Sequence, residues 1–180
     1  MPDTTTTQFS HVKPADTPWR NDGLRDFFQY KDLGIEQATA GRVIAQPVRA
    51  NMAPEKSTGW HRHETRFHIV IMTKGWAKFV YGDKETLVEA GDCVHQRPGI
   101  VHYLFDYSPD MEYIEVVGPA DFTSVDAQGP CAVPAPAAWV QAQGAQKKGQ
   151  RPRWPGPLTS APCPTRYRGT VAPLRARNRR

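Results

Sequence analysis

Short apolar runs separated by turn residues fill the middle of the chain. The predicted strands are 41–48, 67–72, 76–81, 86–88, 93–96, 101–106 and 111–117. Turns such as 73–75 and 82–83 contain glycine and separate successive runs. Turns spaced in this way are typical of an antiparallel barrel or sandwich, so the pattern predicts an all-β domain. The segment 24–30 is either a short helix or an edge strand.

Side chains alternate between the two faces of a strand, which sorts the predicted interior. The residues expected to face inward together are His68, Val70 and Met72 on one strand and His102, Leu104 and Asp106 on another. The strand 67–72 is apolar on both faces. This favours a strand that lines a pocket on one side and packs against a partner sheet or a second subunit on the other.

Histidines are concentrated in the same region, where five of the six in the chain lie between His61 and His102, and four of these are the candidate ligands His61, His63, His68 and His102. His61 and His63 are two residues apart, so on an extended strand both imidazoles leave the same face and can reach one ion. On a helix this spacing would point them in different directions. The grouping therefore indicates a metal site built on a sheet.

The spacing around these histidines resembles the two motifs of the cupin family. The matching positions are His61, His63, His68, Gly75, Gly91, Asp92, Pro98, Gly99 and His102. The resemblance covers roughly residues 40–122. The chain departs from the family pattern in two places: His68 stands where the family usually has glutamate, and Gly59 precedes His61 by only two residues.

The resemblance implies a cupin double-stranded β-helix, which is a jelly-roll-like antiparallel barrel, and a metal held by His61, His63, His68 and His102. Cupins of this kind hold Fe, Mn, Ni or Zn, and neutral imidazoles suit all the later transition metals. If His68 does not reach the ion, the three remaining ligands resemble those of three-histidine iron cupins that use oxygen. Cupins are commonly dimers, so a homodimer is expected.

The substrate pocket is predicted beside the metal. The candidate lining residues are Met72, Trp76, Phe79, Gln96 and Tyr103. Gln96 and its neighbour Arg97 are candidate hydrogen-bond donors to an anionic or carbonyl group. Aromatic residues in a small barrel also belong to the core, so this set is a hypothesis about position only.

Three classes of function fit this site. The first is a metal-dependent enzyme acting on a small organic molecule, with a dioxygenase-type oxidoreductase as the leading reading. The second is a non-redox isomerase, lyase or decarboxylase in which the ion polarises a carbonyl. The third is a sensor or small-molecule-binding module. A fold shared by many chemistries does not choose among them.

The charge of the chain divides it into two parts. No acidic residue follows Asp126, whereas ten lysines and arginines lie between Lys147 and Arg180, so the formal charge of +5 combines an acidic domain with a basic tail. The predicted organisation is an N-terminal arm at 1–39, a barrel at 40–127 and a disordered tail at 128–180. The tail also holds nine of the seventeen prolines. It is expected to bind nucleic acid weakly at most.

The start of the chain has neither a basic nor an apolar segment of the secretory type, and no apolar run approaches the length of a membrane helix. The three cysteines, Cys93, Cys131 and Cys163, are odd in number and widely spaced, which predicts no disulfide framework. A cytoplasmic location with no membrane association is therefore expected.

Overall fold

Two five-stranded antiparallel sheets make up the part of the chain that the computed structural model describes, residues 7–54, 58–137 and 139. The strands are β1 (Phe28–Tyr30), β2 (Ile44–Ala50), β3 (His61–Glu64), β4 (Phe67–Lys74), β5 (Trp76–Tyr81), β6 (Lys84–Glu89), β7 (Cys93–His95), β8 (His102–Tyr107), β9 (Glu112–Gly118) and β10 (Thr123–Asp126). The helical elements are α1 (Ile35–Ala38) and a 3-10 turn (Pro14–Asp16).

The first sheet has the strand order β1-β2-β9-β4-β7, and the second has the order β10-β3-β8-β5-β6. Their inner faces enclose one apolar core, in which Val48 and Met72 of the first sheet meet Phe79 and Leu104 of the second. The predicted all-β barrel is confirmed, and each predicted strand is present with small shifts at its ends. The segment 24–30 contributes the edge strand β1.

The connection between β4 and β5 requires glycine. Gly75 has a φ of +62°, a conformation that glycine adopts without the steric cost of a side chain. A Cβ atom at this position would lie 2.1 Å from Ser108 Oγ and 3.0 Å from the Cα of Met111. The tight turn lets β5 pair directly with β8, which carries His102.

A bulge in β8 gives Asp106 an orientation different from the predicted one. Lys78 pairs with Asp106 and Phe79 pairs with Leu104, so Phe105 is an extra residue on β8. The alternation reverses at the bulge, and Asp106 lies on the outer face with Lys78, at 3.3 Å between Oδ2 and Nζ. The prediction that Asp106 faces inward with His102 and Leu104 is therefore wrong, and Tyr107 enters the core instead.

The orientation of β4 agrees with its predicted alternation. His68, Val70 and Met72 are buried, whereas Ile71 on the opposite face is 38% exposed. The outer face of β4 remains apolar, as the sequence pattern indicated. The homodimer stays a prediction, because the structure describes a single chain.

The N-terminal segment closes over one end of the barrel. Arg20 and Tyr30 exchange backbone hydrogen bonds of 2.8 and 2.9 Å, so the loop 21–27 before β1 begins and ends at the barrel edge. Phe27 in this loop and Phe28 at the start of β1 are buried, and a Cβ at Gly23 would lie 2.2 Å from the ring of Tyr30. The loop is therefore held by close packing.

The segment after β10 lies against the second sheet. The backbone N–H of Ala127 donates to the carbonyl of Trp60 at 2.9 Å. Trp139 Nε1 donates to the carbonyl of Tyr107 at 2.9 Å, and the two rings meet edge to face at 6.0 Å. The remainder of the predicted tail, residues 140–180, lies outside the described residues. Among the residues described, no helix is long and apolar enough to cross a membrane.

Candidate metal centre

Three histidines from two neighbouring strands converge inside the barrel. His61 and His63 lie on β3, and His102 lies on β8 directly opposite His61 in the strand register. All three side chains are buried, and one ligand nitrogen from each lies within 4.8 Å of the others. The two-residue spacing places both β3 imidazoles on the inner face, and strand pairing supplies the third.

Backbone carbonyls orient two of the three rings. His61 Nδ1 donates to the Gly59 carbonyl at 2.8 Å, and His102 Nδ1 donates to the Ile100 carbonyl at 2.9 Å. A proton held at Nδ1 leaves the Nε2 lone pair available, and this is how ligating histidines are usually supported. The Nδ1 atom of His63 is buried and has no hydrogen-bond partner among the described residues. The donor set therefore fits a transition-metal ion.

The electrostatic environment keeps these imidazoles neutral. Burial, followed by the neighbouring histidines, lowers the pKa of His63 to about 2. Burial and the proximity of His61 lower the pKa of His102 to about 3, and burial also lowers the pKa of His61. Neutral imidazole is the form that binds metal, so the cluster needs to lose no proton near pH 7.

His68 contacts Glu115, whereas its place in the motif suggests a metal ligand. Its Nε2 lies 2.9 Å from Glu115 Oε1, and its ring centroid is 5.1 Å from that of His63. This is a short polar contact that lacks the direction of a hydrogen bond from the ring. The group of three converging ligands comprises His61, His63 and His102 without His68.

Glu115 is a buried carboxylate that the sequence reasoning missed. Gln46 Nε2 donates to its Oε2 at 2.9 Å, while His68 contacts its Oε1. Burial alone would raise the pKa of Glu115, but the contacts with His68 and Gln46 outweigh burial and hold the pKa below its usual range. The available signal was an acid between Tyr113 and Val117, at an inward-facing position of an apolar strand.

A cavity of about 50 Å³, which opens to solvent, lies beside the histidines. Its lining residues are Leu24, Arg25, Phe28, Tyr30, Thr58, His61, His63, His68, Val70, Phe79, Gln96, His102, Leu104, Tyr113 and Glu115. Two of the predicted pocket residues, Phe79 and Gln96, are in this lining, and Gln96 Nε2 donates to the Tyr81 hydroxyl at 2.9 Å.

The other three predicted pocket residues are placed elsewhere. Trp76 and Tyr103 occupy strand positions that alternate to the outer face of the second sheet, where Tyr103 packs edge to face with Trp60. Met72 faces inward but is packed in the core, beyond the part of β4 that reaches the cavity. These residues have the chemical type of a pocket lining, but strand alternation and depth in the barrel exclude them from it.

Comparison with known proteins agrees with this fold. The chain matches the Cupin domain family over residues 48–117. The polyketide cyclase RemF from Streptomyces resistomycificus superposes with a TM-score of 0.53 at 15% identity, covering 67% of this chain and 87% of that one. KdgF from Halomonas sp. superposes with a TM-score of 0.51 at 17% identity, covering 61% and 94%.

An RmlC-like cupin from Shewanella frigidimarina also superposes, with a TM-score of 0.51 at 14% identity and coverage of 64% and 96%. A sequence search among curated proteins found no match. At these identities the structural matches establish the fold, while the family match falls on the segment that carries all four motif histidines. The barrel of this chain therefore has the cupin fold, and its residues 48–117 match the Cupin domain family.

Proposed function

We propose that this protein is a metal-dependent enzyme acting on a small organic molecule, with His61, His63 and His102 as its metal ligands. The observation that carries the proposal is the convergence of these three buried, neutral imidazoles, two of them oriented by backbone carbonyls, at a cavity. When bound, a divalent ion such as Fe, Mn, Ni or Zn would supply Lewis-acid or redox chemistry to a substrate oxygen.

Other side chains would exclude water, orient the substrate and transfer a proton. Phe28, Phe79 and Leu104 supply an apolar wall that excludes water from part of the cavity. The amide of Gln96, fixed by Tyr81, can orient a polar group of the substrate. His68 and Glu115 form a buried pair able to hold and return a proton beside the three histidines.

Two reaction classes follow from different features of this site. The set of three neutral histidines favours a dioxygenase-type oxidoreductase, because it resembles the ligand set of oxygen-using iron cupins. The His68–Glu115 pair favours a non-redox isomerase or lyase, in which proton transfer to or from the substrate is the protein's main task. A sensor or binding module would use the same cavity without turnover.

Metal analysis tests the ligand set. Protein purified without a histidine tag should contain about one transition-metal ion per chain, and His61→Ala or His102→Ala should lose most of it, because each removes one of three bonds. His95→Ala is the matched control, since His95 lies exposed on β7, outside the cluster. Undiminished metal in both ligand variants would overturn the proposal.

Oxygen uptake separates the two reaction classes. A screen of diketones, catechols and sugar acids should show oxygen consumption that depends on substrate if the protein is a dioxygenase. Turnover that proceeds equally under argon and slows in His68→Gln would instead identify the proton-transfer class. A tightly bound organic molecule that copurifies without turnover would indicate a binding module.

A further inference from the structure

The charged groups that line the cavity differ in their surroundings. Arg25 and Glu115 are the lining residues with full formal charges. Glu115 is engaged by His68 and Gln46 on both carboxylate oxygens. The guanidinium of Arg25 has no carboxylate partner within the described parts of the chain. The cavity therefore presents a cation whose charge is not matched by a described carboxylate.

Arg25 is held by a well-packed stretch of backbone. Its N–H donates to the Tyr30 hydroxyl at 3.0 Å, and its carbonyl accepts from Phe28 N–H at 3.3 Å. The adjacent residues Phe27 and Phe28 are 4% and 2% exposed, so the loop is anchored directly beside the arginine. A fixed backbone lowers the entropy lost when the side chain engages a ligand.

We propose that Arg25 binds a carboxylate of the substrate, and that the substrate is a small organic acid with a second oxygen for the metal, such as a 2-oxo or 1,3-dicarboxylic acid. This inference rests on the proposed metal-dependent function. A guanidinium matches a carboxylate with two parallel hydrogen bonds, which are stronger than neutral ones and fix orientation. A partly buried cation also attracts an anion more strongly than an exposed one does.

Arg25 lies in the N-terminal segment, so the preference for a substrate carboxylate would come from this segment. The family match covers residues 48–117, and Arg25 lies 23 residues before it. The loop that carries Arg25 reaches the cavity because Tyr30 pairs with Arg20 and packs on Gly23. The cupin domain supplies the metal ligands, and the preceding segment supplies the charge that selects the substrate.

The experiment compares acids with their neutral esters on the full-length, Co²⁺-loaded protein. Pyruvate is paired with methyl pyruvate, and malonate with dimethyl malonate, in calorimetric titrations. The parent should bind at least one acid more tightly than its ester. Arg25→Gln should weaken binding of that acid by about 10- to 100-fold, the loss expected for a charged hydrogen-bonded pair, with little effect on the ester.

Two further variants sharpen the result. Arg25→Lys should retain part of the preference, because lysine keeps the charge but not the two-point geometry. Arg20→Gln removes the same charge nearby, from an exposed arginine that pairs with Asp22, and should leave the preference unchanged. Circular dichroism and cobalt content are measured for every variant.

Each outcome has a distinct meaning. A parent that binds neither acid, or an Arg25→Gln variant that keeps the full acid preference, overturns the assignment of Arg25 while leaving the metal site intact. A parent that takes up no cobalt contradicts the proposed function itself. Loss of acid binding in Arg20→Gln as large as in Arg25→Gln would show a general charge effect and would also overturn the assignment.

Discussion

Removing the metal should make the stability of this protein unusually sensitive to mild acid. In the metal-free fold, His63 and His102 have pKa values of about 2 and about 3, because they are buried beside other histidines. In the unfolded chain both would titrate near 6.5. The unfolded state therefore binds more protons than the folded state below pH 6.5. The free energy of unfolding is highest above that pH with respect to these histidines, and it falls as the pH drops toward their folded-state pKa values.

The loss of unfolding free energy can be calculated from proton uptake by the unfolded state alone, over a pH interval in which the folded histidines do not titrate. Between pH 7 and 5.5 both folded-state imidazoles stay neutral, so each histidine lowers the free energy of unfolding by about 1.2 kcal/mol. The two together should lower it by about 2.5 kcal/mol. His61, whose pKa burial also lowers, adds to this loss in the same direction. Glu115, whose pKa is also lowered, loses its contribution only below the ordinary carboxylate range near pH 4.3, outside this interval.

Urea unfolding of EDTA-treated protein at the two pH values measures this difference. With an m-value of about 1–3 kcal/mol per molar, the midpoint should fall by about 0.8–2.5 M. His63→Gln should remove about 1.2 kcal/mol of the pH dependence, since glutamine does not titrate. His95→Gln is the control for a histidine on the exposed strand β7 and should preserve the parent's slope. Equal stability of the parent at pH 7 and 5.5 would refute the reasoning.

Two predictions concern the packing that supports the barrel. Trp139→Ala should lower the free energy of unfolding by about 2 kcal/mol, because it removes both the hydrogen bond to the Tyr107 carbonyl and the edge-to-face contact, whereas Trp139→Phe should cost about half as much. Matching urea midpoints for parent and Trp139→Ala would show that this contact contributes nothing. Gly75→Ala should cost about 2 kcal/mol or more through its positive φ and its clash with Ser108, and a thermal midpoint unchanged from the parent would contradict the described turn.

Local patterns were sufficient to predict the all-β fold and the histidine cluster. Period-two alternation and glycine turns act over a few residues, so they are visible without knowledge of the partner strands. The same holds for His61 and His63, whose spacing places them on one face of any extended strand. The family resemblance added His102, whose position opposite His61 then followed from the pairing of β3 with β8.

Tertiary structure decided which of the remaining side chains reach the site. A single extra residue, Phe105, reverses the alternation in β8 and turns Asp106 to the outer face, and no local signal marks that bulge. Glu115 meets His68 because β9 lies beside β4, and Arg25 reaches the cavity because its loop packs on Tyr30. Contacts between residues distant in sequence depend on strand order and register. For this reason the sequence by itself determined the fold and the four motif histidines. The structure determined that three of them converge without His68, and which acid and cation surround them.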